Sequence, residues 1–453
     1  MIPPSQQRTQ SLLCECKALA SKTSLGHVSL MLPGTAVRIM RILVLSPYLP
    51  WPLYGGNVVR IYGILRELSR RGHEIVLLAG YEGPPLADDH PVKILCREVR
   101  FYRPPASARQ TRPVLAALAS VLSPLPYTAA KFGGRTVQRS IREKLESEHF
   151  DLILANFAFM AQLIPPALAR NTPVVLDEHE SEGLLWRQYL RQGGILKRAF
   201  ALLNLIKMSW FQRAVGSRLA AMLCASDREA EFARSYLPAR VKLWTVPNGV
   251  DTDFFVPGAP EDRKSPSLVL CGGFAVYRNS EAAIWFARTV FPRIKQEIST
   301  AEFWIVGSSP NQEVRQLAEI PGVHVTGAVE DVRPFYARAA VSVAPYRYGE
   351  GTKLKVLEGM ACAVPVVSTI IGCQGIKARD GEHLLIAQTT EAFSERVIHL
   401  LRSPEQRRAI GARARSLIER EYAWTKIVGD LDPKLAEVAR EHRAPESAEA
   451  SRE

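Results

Sequence analysis

Short apolar runs recur along the chain, each closed by a turn rich in Gly, Pro or Asn and followed by a stretch whose apolar residues return at helical spacing. Arg41 to Ser46 is the first such run and predicts a strand. Pro47 to Asn57 is then a turn-rich loop holding Gly55 and Gly56, an amphipathic helix covers about Val58 to Arg71, and Ile75 to Ala79 is a second strand. Asp151 to Ala155 and Pro173 to Asp177 predict further strands, the latter ending on Glu178-His179-Glu180. The pattern restarts at Ser267 to Cys271, running into Gly272-Gly273, with a helix over roughly Glu281 to Glu297, strands at Glu302 to Val306 and Val323 to Thr326, and a helix near Val332 to Ala340. Val341 to Ala344 and Val364 to Val367 are strands, and Ala392 to Leu401 and Glu405 to Glu421 are helices. Such alternation builds doubly wound parallel sheets, whose ligands bind outside the carboxyl ends of the strands. The Gly55–Gly56 loop lies at such an end but lacks the G-x-G-x-x-G spacing of a dinucleotide turn.

With 453 residues and 47% hydrophobic content, the chain suits two domains of this kind. Residues 1–39 are polar and aperiodic, a poor signal peptide and an expected disordered extension. Residues 40–248 and 249–421 are the two domains, 422–440 a closing helix, and 441–453, rich in Glu, Ala and Ser, an expected disordered tail. Between residues 97 and 144 acids are scarce, and Pro104, Pro105, Pro124 and Pro126 interrupt apolar stretches such as Val114 to Leu122.

Candidate chemistry concentrates between residues 341 and 367. A buried strand, a Gly/Pro/Tyr loop and a helix opening near Thr352 follow one another there, and Thr352 is a good N-cap. The first N–H groups of that helix, with Lys353 and Lys355, would attract an anion such as a diphosphate. Glu358 falls on the apolar stripe of Leu354, Leu357 and Ala361, where a carboxylate must be paired or given a ligand. Lys355, one turn back, is the bland partner. Glu350, eight residues earlier in the loop, can face the same cavity from its mouth. The strand-end cluster around His179 is a second functional candidate, although a lone histidine is more often structural.

Lys and Arg number 58 against 45 acids, a net +13. No nucleic-acid-binding motif accompanies that charge, so a nucleotide diphosphate and an anionic membrane surface are the partners it suits. Leu184 to Ala225 contains no acid, while its Arg and Lys residues are interleaved with Trp186, Phe200, Trp210 and Phe211, as at a membrane interface or on a core helix with a solvated basic face. No run approaches the roughly 18 to 20 apolar residues of a membrane span. Seven scattered cysteines form no disulfide framework, which fits a reducing cytoplasm, peripheral to a membrane at most.

Glu350 and Glu358, followed by Gly359-Met360-Ala361 and Pro365-Val366-Val367, resemble the donor motif of glycosyltransferase family 4. The resemblance covers about residues 40 to 435 and implies the glycosyltransferase B fold, two Rossmann-like domains facing a cleft. It implies a nucleotide-sugar donor, with Glu358 on the ribose hydroxyls, Glu350 on the sugar, and Gly351, Thr352, Lys353 and Leu354 offering backbone amides to the diphosphate. Gly55 and Gly56 would face the donor phosphate and the acceptor, His179 the sugar, and Gly327 to Val332, with Val329, the base. Cys224-Ala-Ser-Asp resembles the family's strand and capped helix, Val246 to Phe255 its interdomain crossing, and the helix after Tyr422-Ala-Trp424 its return to the first domain. Many members carry an Arg after the first-loop glycine and a Lys shortly after it; here Gly273 and Arg278 stand there, one cation short. Asp251-Thr252-Asp253 mimics a metal motif in the wrong place, so neither metal nor cofactor is expected.

The implied reaction is retaining transfer to a hydroxyl on a lipid-linked or polysaccharide acceptor, as in exopolysaccharide synthesis. Arg278 would stabilise the leaving diphosphate, and Glu350 and His179 would position the sugar. A same-fold epimerase and a non-catalytic polysaccharide-assembly scaffold are the alternatives.

Overall fold

The computed structural model describes residues 38–449 except 54, 106–116, 118–119, 193, 260–264 and 350. The expected N-terminal extension, most of the Val114 stretch and Glu350 therefore lie outside the described residues.

The described chain divides into two compact units, one containing the sequence up to Val246 and again from Val428, the other running from Pro247 to Ile427. In the first, β1 (Arg41–Ser46), β2 (Glu74–Gly80), β3 (Glu98–Tyr102), β4 (Leu152–Asn156), β5 (Val174–Glu178), β6 (Ala221–Cys224) and β7 (Lys242–Thr245) pair in the order β3-β2-β1-β4-β5-β6-β7. In the second, β8 (Ser267–Cys271), β9 (Glu302–Val306), β10 (Val323–Gly327), β11 (Val341–Ala344), β12 (Val366–Ser368) and β13 (Leu385–Ile386) pair as β10-β9-β8-β11-β12-β13. Every pairing is parallel. Helices cover both faces of such sheets, which is why Ile42 to Leu45 and Leu268 to Leu270 are continuous apolar runs, fully buried. The strand order reverses between β1 and β4 and between β8 and β11, the crevices where doubly wound sheets bind ligands.

The helices that matter below are α1 (Gly56–Arg70), α2 (Arg135–Ser147), α3 (Glu182–Gln192), α4 (Ile195–Gly216), α5 (Asp227–Arg234), α6 (Tyr277–Trp285), α7 (Leu354–Ala361), α8 (Pro404–Glu421) and α9 (Trp424–Glu449). Ser226 caps α5 by accepting the Glu229 N–H. Four expectations need correction. The helix expected over Glu281 to Glu297 begins at Tyr277 and passes through a π-turn, Phe286–Val290, before resuming at Phe291. Pro292 has no N–H to continue the regular ladder. The strand expected from Val364 begins at Val366. Helix α7 is capped by the backbone of Lys353, without a side-chain bond, rather than by Thr352. Finally, α9 carries helical backbone to Glu449, into the stretch that composition assigns to a disordered tail.

From Val428 onward α9 belongs to the first unit. There the His73 ring, buried, bonds through Nε2 to Asp432 Oδ1 at 2.9 Å while its Nδ1 accepts the Met40 N–H at 3.1 Å. Lys242 of β7 reaches Glu437 at 2.5 Å and Glu441 at 2.8 Å.

Candidate functional site

In the second unit the site is built where β8 and β11 separate. Gly272 donates its N–H to Val306 O at 2.9 Å, and Phe274 to Ser308 O at 2.8 Å, so the loop after β8 lies flat against that after β9. A Cβ on Gly307, whose φ is +142°, would stand 1.8 Å from the Gly272 carbonyl oxygen, so no other residue fits. Gly273 has no such constraint: a Cβ there would meet only Ser308 Oγ, at 3.7 Å. Its carbonyl accepts Asn279 Nδ2 at 2.8 Å, which fixes the entry to α6 and leaves Arg278 exposed.

The loop after β11 reaches the same place. Gly349 and Gly351, on either side of position 350, take φ of +104° and +76°. Lys353, buried, donates from Nζ to their carbonyls at 3.2 and 2.8 Å. A Cβ on Gly349 would come 2.9 Å from Arg278 Cδ and 3.8 Å from Lys353 Nζ. Arg278 and Lys353 thus flank one glycine, while Lys353 spends its ammonium on the shape of the loop. The Thr352 hydroxyl sits 2.8 Å from where a Cβ on Gly375 would stand, facing the loop after β12.

Glu358, midway along α7, meets the partner expected one turn back, Lys355. It is 8% exposed, and both its carboxylate oxygens lie 3.0 Å from Lys355 Nζ. Tyr336 donates from its phenol to Oε2 at 3.4 Å and to Lys355 O at 3.2 Å. Burial pushes the Tyr336 phenol well above its ordinary pKa and the Cys271 thiol up to about 12, so neither takes up charge beside the carboxylate. Gly327, with φ of +70°, opens on free space at the end of β10, and Val329 packs half-buried against the core.

The first unit has a second constellation at its own switch point. Gly55 N-caps α1 by its backbone alone, with open space around it, and Gly56 is the first helical residue. One turn into α1, Arg60 forks onto Asp177 at the end of β5, with Nε 2.9 Å from Oδ1 and 3.0 Å from Oδ2, Nη2 2.7 Å from Oδ1, and Nη1 on Val246 O at 2.8 Å. Burial alone would raise the Asp177 carboxyl; Arg60, then His179, hold it well below the usual carboxylate range. His179 Nε2 lies 3.1 Å from both Asn156 Oδ1 and Asp177 Oδ2. Asn156 donates from Nδ2 to Leu45 O at 3.0 Å, so its Oδ1 faces the ring and Nε2 carries the proton. Burial lowers the His179 pKa against the pull of Asp177, and the neutral ring keeps Nδ1 as a buried acceptor with no partner among the described residues. Phe157 covers the ring at 4.3 Å. Glu178 turns to the other face and accepts the Ala158 N–H at 3.1 Å; burial, with Glu182 nearby, pushes its carboxyl well above its usual range. Burial also raises Glu182 to about 7.

An open groove of about 540 Å³ in the same unit is lined by Ser120, Lys131, Arg135, Gln138 and Gln162 among others. The Asp251 carboxylate accepts the N–H groups of Asp253 and Phe254, both at 3.2 Å, closing a turn.

Arg60 escapes the sequence reading, although it carries the same signal as Glu358: a charge one turn before Ile64 and two before Leu68 on the buried face of α1. Tyr336 gives no signal, since its phenol meets Glu358 only through the fold.

Family comparison decides what these two crevices belong to. The model described as Glycosyltransferase Family 4 matches residues 54–254, and that described as Glycosyl transferases group 1 matches residues 265–403. The chain is a glycosyltransferase of the group 1 type. This transferase is 21% identical, over 86% of its length and 98% of the relative, to an uncharacterized 44.6 kDa protein in the cps region of Klebsiella pneumoniae. It is 25% identical, over 48% of its length and 62% of the relative, to the GDP-mannose-dependent monoacylated alpha-(1-6)-phosphatidylinositol monomannoside mannosyltransferase of Corynebacterium glutamicum. Anabaena HepE, solved in complex with UDP and glucose, shares its fold with a TM-score of 0.60 at 12% identity, over 88% of this transferase and 100% of HepE. The two-sheet architecture of the transferase is the glycosyltransferase B fold.

Proposed function

We propose that this glycosyltransferase moves a hexose from a nucleoside diphosphate sugar to a hydroxyl acceptor with retention of configuration, without a metal, in exopolysaccharide or lipid-linked glycan synthesis. One observation carries the reading: Glu358 is a buried carboxylate whose partner, Lys355, is a point charge still 37% exposed, so ribose hydroxyls can replace part of the pair. The fork of Arg60 leaves Asp177 no such freedom.

In this reading the ribose hydroxyls donate to Glu358 and the base lies along Gly327 and Val329, reached by backbone. The diphosphate meets Arg278 and the first N–H groups of α7, which no side chain caps. Lys353 acts by holding the loop carbonyls around Glu350, and Glu350 takes the sugar hydroxyls. In the first unit the neutral His179 Nδ1 is an acceptor suited to a sugar hydroxyl, and the open space at Gly55 suits a phosphate or an acceptor. The bond from the anomeric carbon to the diphosphate breaks as the acceptor oxygen bonds to that carbon, and the acceptor proton leaves with the diphosphate. Charge gathers on the leaving group, and fixed donors there lower the barrier because they stabilise it more in the transition state than before.

The named relatives act on GDP-mannose or bind UDP and glucose, so the test is a panel of UDP, GDP, ADP and dTDP sugars read by thermal stabilisation and by donor cleavage. One donor at about 100 times its dissociation constant should stabilise the protein by about 2.7 kcal/mol, and Glu358→Gln should abolish the shift. A shift that survives Glu358→Gln overturns the site assignment. Turnover that yields an epimerised sugar with no acceptor present overturns transfer.

A further inference from the structure

Helix α4 presents an apolar face to solvent. Its inner stripe, Ala201, Asn204, Met208, Phe211 and Val215, is buried as a packed helix requires. On the opposite side Ile195, Leu202, Ile206 and Trp210, spaced seven, four and four residues apart, are 85%, 50%, 56% and 75% exposed. Leu196 flanks the start of this second stripe, and Val121 and Leu122 extend it sideways. The backbone leading into Leu122 is held by Lys207, whose Nζ donates to Ser120 O at 2.6 Å and Val121 O at 3.2 Å. Single exposed apolar residues are ordinary on a protein surface, but a contiguous stripe with its own helical period marks an interaction face.

Charge decides the partner. Leu184 to Ala225 holds no acid, Lys197 and Arg198 are exposed where the stripe begins, and Arg213 is exposed where it ends. Among the described residues none of Arg191, Lys197, Arg198 and Arg213 pairs with a carboxylate. Cations rimming an apolar stripe, with a tryptophan near one end, match the headgroup zone of an anionic bilayer, where alkyl groups enter the acyl boundary and ammonium and guanidinium groups meet lipid phosphates. No described helix is long and apolar enough to cross a membrane, so a helix lying in the surface is the geometry available to α4. Ser120, whose carbonyl Lys207 holds, also lines the groove carrying Lys131 and Arg135, so an anionic headgroup beside the stripe has a basic groove next to it.

We infer that the outer face of α4, with Val121 and Leu122, inserts into the interface of an anionic membrane. This deepens the transferase reading, on which it rests only for its last step, by making the acceptor a lipid-borne hydroxyl.

The full-length chain is sedimented with vesicles of equal parts phosphatidylglycerol and phosphatidylcholine, and with vesicles of phosphatidylcholine alone. It should pellet with the first and not the second. The double variant Ile206→Glu, Trp210→Glu should lose at least about tenfold in vesicle affinity while keeping its melting temperature and its stabilisation by the donor nucleotide. Neutralising Lys197 and Arg198 together should weaken binding and flatten its salt dependence. Failure of the wild type to bind phosphatidylglycerol vesicles overturns the inference, as does a wild-type dimer that the double variant splits, since a second copy would then cover the stripe. Vesicle binding without any donor stabilisation would sink the transferase reading and leave this one standing.

Discussion

Asp177, near the end of β5, and Glu358, on the helix between β11 and β12, are the same kind of irregularity in two different units, a buried carboxylate, yet their surroundings differ. Asp177 is fully buried, and a guanidinium fork and an imidazole saturate both its oxygens. Glu358 keeps a little exposure, and its main partner is a lysine whose side chain remains more than one-third exposed. The first arrangement locks strand to helix; the second leaves a carboxylate whose partner can be exchanged. Burial of a charge alone therefore does not separate a lock from the proposed donor site; the exposure of its counter-charge is what differs.

The largest effect should come from Asp177→Asn, which strands Arg60 as an uncompensated buried charge and should cost about 3–5 kcal/mol in urea unfolding. Because the folded-state Asp177 carboxyl is held below its ordinary value, its contribution is present above about pH 4 and lost as the pH falls further, so the variant should also show a flatter acid limb. A cost below about 1 kcal/mol would mean that Asp177 is no lock, and the contrast with Glu358 would fail. Glu358→Gln comes next. Unfolding should be nearly unchanged, while loss of a charged acceptor should lower kcat/KM by about 100-fold.

Smaller still is Gly273→Arg. A Cβ there meets nothing closer than Ser308 Oγ at 3.7 Å, so stability should stay within about 0.5 kcal/mol and donor affinity should rise up to about tenfold as the missing cation is restored. Calorimetric titration with the diphosphate product reads this directly, and a large loss of stability would show the glycine to be structural. The smallest concerns Glu182, raised to about 7 by burial. Raised folded-state carboxyls stabilise fully below their unfolded value of about 4.3 and lose that contribution as the pH climbs through the folded value. Stability should therefore fall between about pH 4.3 and 7, and Glu182→Gln should reduce that slope.

The strand runs were legible because parallel strands covered on both faces are uninterrupted apolar segments, and β1, β8, β9 and β11 match their predicted limits. Glu358 was legible for the complementary reason, a charge on an apolar stripe. Thr352 misled because capping depends on where the chain turns, and Gly351 and Lys353 turn it one residue later. The environment of His179 could not be read, since its tautomer depends on Asn156, 23 residues away, and Asn156 depends on Leu45. The inverted polarity of α4 was half legible: the cations and aromatics stood out, but which apolar stripe faced inward required the fold.

The pairing of His73 with Asp432 spans 359 residues. On the ribosome, then, the unit whose strands are made first cannot be finished before the other has been made: its buried imidazole waits, without its carboxylate, until Asp432 has emerged. Any shortened form ending at α8 would carry that vacancy permanently, in the unit farther from the cut along the sequence.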